Sequence, residues 1–131
     1  MPSKDYVHPD AGPGAVDRFP HLTGQAYLQV RTMPANGDSQ VTVAVAGEID
    51  NGSAPVLQAA LTTHLRPHGP DVVVDLTEVF FLNVAGLRVL ARAHQTALEG
   101  GQRLVVVTGD RHRAPRRALQ ASGLLHLLTA H

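Results

Sequence analysis

VVVDLTEVFFLNVAGLRVL, residues 72–90, is the stretch on which the fold turns. It opens with VVVDL, Val72 to Leu76, a β-branched run of the kind buried on both faces in a parallel sheet. A short apolar extension, Phe80 to Leu82, breaks at Asn83. From Val84 to Glu99 apolar residues return at helical spacing, with Leu87, Leu90, Ala91, His94 and Leu98 on one side and Arg88, Arg92, Gln95 and Glu99 on the other. Asn83 thus stands at the handover from strand to helix, where its side-chain oxygen can satisfy a free N–H of the first turn. Gly86 costs the helix roughly 1 kcal/mol relative to alanine, so something needs close access to that turn. Packing against a neighbouring strand and approach of a partner both stay open.

Outward from this stretch the pattern is regular. Upstream, Ala26 to Thr32 and Gln40 to Ala46 alternate as strands, with Leu28 and Val30 on one face and Val41, Val43 and Val45 on another; the PANGDS segment between them predicts a β-hairpin. Ser53 is expected to cap a helix whose first turn tolerates Pro55. Val56, Leu57, Ala60, Leu61 and Leu65 form its apolar stripe, and Pro67 and Gly69 end it. Downstream, Gly100-Gly101 stops the second helix and RLVVVT, Arg103 to Thr108, repeats the buried-strand pattern. A last helix starts at or after His112, because Pro115 is tolerated only near a helix start, and Gly123 ends it in a left-handed conformation. LLHLL reads equally as a short strand or a helical end. The order is β-β-α-β-α-β-α with right-handed crossovers.

Residues 1–24 carry Pro2, Pro9, Pro13 and Pro20 with Gly12, Gly14 and Gly24 and show no periodicity, which predicts a flexible arm ahead of one domain over 25–131. The full chain has 131 residues, enough for one core. It has no cysteine, so disulfides, thiolate metal sites and cysteine nucleophiles are excluded. No leader-like segment opens it and no apolar run spans a bilayer, so a cytoplasmic protein without direct membrane insertion is expected. Lys+Arg and Asp+Glu are equal at 11 each, which gives no reason to expect nucleic acid as partner. The distribution is uneven: through Ala85 there are four basic and nine acidic side chains, and from Gly86 onward seven basic and two acidic.

GEID (Gly47 to Asp50), VVVDLTEVFFLNVAGLRVL, GGQRLVVVT and RRALQASGL, in that order, resemble the STAS domain, the module of bacterial anti-sigma factor antagonists and of sulfate-transporter tails. The resemblance runs from about Gln25 to the C-terminus. It implies an α/β domain, a mixed sheet of four or five strands with helices mainly on one side. In the antagonists it resembles, the segment after the third strand reads Asp-Ser-Ser-Gly or close to it. The first Ser, or a Thr there, is phosphorylated by an anti-sigma kinase, and the unmodified form sequesters that kinase and frees the sigma factor. Asn83, Val84, Ala85 and Gly86 stand at those positions here. Valine has no hydroxyl, so no phosphorylation is expected at Val84, and no Ser or Thr occurs between Leu82 and Gln95.

What this implies is a non-catalytic regulator that binds an anti-sigma factor or serine kinase-like protein through Glu48, Asp50, Asn83, Val84, Ala85, Gly86, Arg88 and Arg92, without a cofactor. A protein that cannot gain the −1.5 to −2 charges of a phosphate cannot be released by that route. Two alternatives stay open: an accessory STAS subunit of a bacterial lipid ABC-transport complex, and a small-ligand-sensing module. A homodimer is open as well.

Other constellations weigh less. His64 and His68 have i, i+4 spacing, but Pro67 and Gly69 break the helix that would present them, so no metal is expected. His94 reads as a packing residue with one satisfied nitrogen. Asp75 lies where a receiver domain keeps its phosphoacceptor, but the sole lysine is Lys4, which removes that chemistry along with phosphate-loop and Schiff-base lysines. Asp75 is expected to take nearby backbone N–H groups. Glu48 and Asp50 lack a partner for acid/base work, which leaves them binding or capping roles and the chain no assembled catalytic site.

Overall fold

The computed structural model describes residues 16–20, 27–34 and 40–128. The elements are β1 (Val16–Pro20), β2 (Tyr27–Pro34), β3 (Gln40–Ile49), α1 (Ala54–Thr62), β4 (Asp71–Leu82), α2 (Val84–Glu99), β5 (Leu104–Val107), α3 (Ala114–Ala121) and α4 (Leu125–Leu128). They form one mixed five-stranded sheet in the order β1-β2-β3-β4-β5. The first two pairings are antiparallel and the β3/β4 and β4/β5 pairings parallel. β1 lies within the segment expected to be an arm; the rest of that segment, and residues 35–39 of the hairpin loop, fall outside the described residues.

Alternation builds the core. Leu28 and Val30 of β2, Val41, Val43 and Val45 of β3, Val72, Val74 and Leu76 of β4, and Leu104 and Val106 of β5 are buried in one cluster with Leu57, Leu61, Leu90, Leu119 and Leu128 of the helices. Val73, Asp75 and Val105, on the other face of the same strands, keep partial exposure. This corrects the expectation that Val72 to Leu76 is buried on both faces. All the helices draw on one side of the sheet, and a β-branched run does not require cover on both.

The register slips twice along β4. Ala44 pairs with Asp75 but Ala46 with Glu78, and Gly47 pairs with Val79 but Glu48 with Phe81, so β4 carries an extra residue at each step. Gly47, at φ 115°, supplies the backbone conformation the second irregularity needs. Because β3 keeps its alternation while β4 gains residues, the inward positions of β4 move from Leu76 to Val79 and then to Leu82. Phe80 and Phe81 are consequently both left outside.

Two helix details differ from expectation. Ser53 precedes α1 without capping it; its buried hydroxyl turns back to the preceding loop instead. The buried face of α2 is Gly86, Leu87, Val89, Leu90, Ala93 and Ala97, roughly a quarter turn from the expected stripe. Leu98 is exposed, and Ala91 and His94 are half-buried, the Nδ1 of His94 being buried without a hydrogen-bond partner. The rotation follows from small residues: Gly86, Ala93 and Ala97 let the backbone approach the sheet, an advantage that hydropathy does not register. LLHLL resolves as helical, forming α4. Gly123 does end α3 in the left-handed region, at φ 80°, with Leu124 N–H donating to Leu119 O at 2.9 Å and Gly123 N–H to Gln120 O at 3.2 Å.

Candidate functional site

Parallel strands put their carboxyl ends at one edge of a sheet, and the loops that follow them are where α/β domains build sites. Here that edge gathers the β3–α1 loop, the end of β4 with the start of α2, and the β5–α3 loop.

The first loop is shaped by two of its own side chains. Asp50 Oδ1 accepts from Gly52 N–H and Ser53 N–H, both at 3.0 Å. The Ser53 hydroxyl accepts from Asp50 N–H at 3.0 Å and lies 2.8 Å from Glu48 O and 3.1 Å from Asp50 Oδ1, either of which can take its proton. These two side chains therefore shape the loop, the capping role left open for Asp50. Glu48, opposite Phe81 in the register, is half-exposed.

The handover at Asn83 is as the sequence predicts. Its Oδ1 accepts from Ala85 N–H at 3.0 Å and Gly86 N–H at 3.3 Å. Its Nδ2 donates to Asn51 Oδ1 at 3.1 Å and its backbone N–H to Ile49 O at 3.1 Å, so one residue caps α2 and ties it to the first loop. Gly86 is buried, and a Cβ there would collide with Leu82 Cδ1 and lie 2.5 Å from Ile49 Cγ2. Of the two readings of Gly86, packing of the first turn against the strand ends accounts for it. Ala85 is half-buried, and Val84, at 59% exposure, faces solvent.

Glu48, Asp50, Asn51, Gly52, Phe80, Phe81 and Asn83 line an open groove of about 850 Å³. The phenylalanines are the residues that sequence reasoning missed. At 49% and 45% exposure they give the groove an apolar wall, and Val84, just beyond it in the chain, is exposed as well. Two adjacent large apolar residues in a strand that otherwise alternates are the signal that could have found them, since such a pair cannot both point inward without a slip in register. On the far side, the His112 ring sits 6.0 Å from the Phe80 ring at 59°, and Arg111 lies 3.6 Å from Glu78. Arg88 and Arg92 are exposed along α2, one turn apart, neither ion-paired among the described residues. The structure thus brings Glu48, Asn83 and Val84 to one edge, sets Arg88 and Arg92 farther along the helix, and places Gly86 beneath the surface.

Elsewhere, Asp75 Oδ1 accepts from Thr77 N–H at 2.9 Å, the turn role expected of it. α1 ends at Thr62, so His64 and His68 do not share a helix face, and the described residues hold no cluster of three metal-ligating side chains. No helix among the described residues is long and apolar enough to cross a membrane.

Comparison with known proteins supplies the context for this edge. The family model described as "Mlab, STAS domain" matches residues 32–129. No curated protein matches. An anti-sigma factor antagonist from Mycobacterium paratuberculosis is similar at 32% identity and a TM-score of 0.62, over 76% of this chain and 82% of that one. An antisigma-factor antagonist STAS domain from Rhodobacter sphaeroides shares the fold at 17% identity and a TM-score of 0.53, over 61% and 85% of the two chains. The anti-sigma factor antagonist SpoIIAA in its unphosphorylated form does so at 16% identity and a TM-score of 0.55, over 78% and 88%.

Proposed function

Because this chain belongs to the STAS domain family and is anti-sigma factor antagonist-like within it, we propose that it is a cytoplasmic, non-catalytic regulator that binds an anti-sigma factor of the serine-kinase type and lacks the phosphoacceptor of a switchable antagonist. The observation that carries this reading is Val84. It follows the Asn83 cap at the first position of α2 and is exposed, three residues along the chain from Phe81. A hydroxyl there would be open to a kinase; an isopropyl group gives a partner apolar contact and offers no atom to modify.

Binding is proposed to use Glu48, Asn83, Val84, Ala85, Arg88 and Arg92, with the phenylalanine pair added as the apolar centre. Gly86 and Asp50 act by holding the first turn and the first loop in place. Support for a role without catalysis comes from the same groups: the Ser53 hydroxyl and Asp50 Oδ1 are engaged in the hydrogen bonds of their own loop. With no covalent release, the complex forms in proportion to the two concentrations alone.

The test pairs the protein with a purified anti-sigma kinase in calorimetry. The expected outcome is binding that persists unchanged after incubation with ATP. The double replacement Asn83→Asp/Val84→Ser should gain one phosphate by mass spectrometry and then bind at least about tenfold more weakly, as a charge buried at an apolar contact demands. No binding, and no change on replacement, removes the function. The apolar character of Phe80, Phe81 and Val84 also favours a second reading, an accessory subunit of a bacterial lipid ABC-transport complex, for which co-purification with an ATPase is the expected outcome.

A further inference from the structure

We propose that the docking edge is self-complementary and that a second copy of this chain occupies it, so that homodimerisation covers the face a partner would use. The proposal rests on the reading of this edge as a docking face and adds its regulation. β4 lies between β3 and β5, all three parallel, so the loops after β3 and β5 leave the same end of the sheet on opposite sides of Phe80 and Phe81. Those two flanks are oppositely charged. From Val41 to Leu65 the only Asp, Glu, Lys or Arg residues are Glu48 and Asp50. From Thr108 to Gln120, Arg111, Arg113, Arg116 and Arg117 stand against the single carboxylate of Asp110. Glu78 offsets Arg111 at 3.6 Å, and the β5 flank still carries a positive excess.

A charge gradient across an apolar centre is matched by its own copy after a half-turn. A twofold axis through the phenylalanine pair lays Phe80 and Phe81 on their counterparts and sets the Glu48 flank of each protomer against the Arg113 flank of the other. An apolar patch ringed by one sign of charge would instead repel its copy. Phe80, Phe81 and Val84, each roughly half in solvent within five residues of chain, are the surface such an association would cover. Mass action between copies then supplies a reversible off-state to a chain whose Val84 cannot take a phosphate: only monomer offers the edge.

Sedimentation of the full chain over a range of concentrations tests this without any partner protein, so its result is separate from whether an anti-sigma kinase binds. The expected result is a concentration-dependent dimer whose dissociation constant rises about tenfold or more in Glu48→Lys and in Arg113→Glu. An equimolar mixture of the two variants should regain the dimer, because each reversed charge then meets its opposite at both contacts. Phe80→Ser, at a half-exposed position, should weaken the wild-type dimer and abolish that rescue when introduced into both variants. A monomer at every concentration, or a dimer indifferent to both charge reversals, overturns the proposal.

Discussion

At the scale of single residues, Gly86 shows how environment reverses an intrinsic preference. In an exposed helix, glycine to alanine gains roughly 1 kcal/mol. At Gly86 the added methyl meets Leu82 Cδ1 and Ile49 Cγ2, both on strand-end residues that have little room to move. Gly86→Ala should therefore lose about 1–3 kcal/mol in urea unfolding, the range for overpacking a core, instead of gaining stability. A stabilised variant would mean that α2 does not seat on the strand ends as described. The sequence marks Gly86 as a place of close approach; it does not say what approaches, because the two strand-end side chains come from segments separated in sequence.

At the scale of elements, the connections were less legible than the elements. Every strand and helix that the apolar periodicity predicts between Ala26 and Ala121 is present, since burial of one face selects period two or period three to four directly. The rotation of α2 and the slips in β4 were not legible, because they depend on which small residues meet which neighbours. Gln102 is another such case. It follows Gly100-Gly101 with nothing to distinguish it from a strand-flanking polar residue. In the structure it is buried: its Oε1 accepts from Arg66 N–H at 2.9 Å, and its Nε2 donates to His64 O at 2.9 Å and Pro70 O at 2.6 Å. One side chain thus pins the connection between α1 and β4 from 32 to 38 residues away. Gln102→Leu strands three backbone groups and should cost about 2–4 kcal/mol by thermal or chemical unfolding. Of the candidate site, the Asn83 cap and the exposed Val84 were legible because capping and helix phase are local. Phe80 and Phe81 were hidden inside a segment whose hydropathy alone argues for burial.

At the scale of the whole molecule, stability should depend on acidity through His64, in that same connection. Burial first, and the nearby Arg66 charge second, lower its pKa from the ordinary value of 6.5. The folded chain then favours neutral imidazole while the unfolded chain takes up the proton more readily. The resulting stability is fully present above pH 6.5 and is lost as pH falls through the lower folded-state value. The melting temperature should decline as the pH is lowered below 6.5, and His64→Gln, which cannot charge, should flatten that slope. A slope unchanged in the variant would assign the dependence to other groups.

The parallel pairings carry one more consequence. Gln40 finds Asp71 and Val72 finds Leu104 only after a complete helix has been laid between them, whereas β2 and β3 are close neighbours in sequence and pair antiparallel. Closing those longer contours is the slow part of assembling such a sheet. The proposed docking edge is built from what those late closures bring together. A nascent or partly melted chain that has only its hairpin has nothing with which to recognise anyone, so competence to bind arrives together with the completed fold.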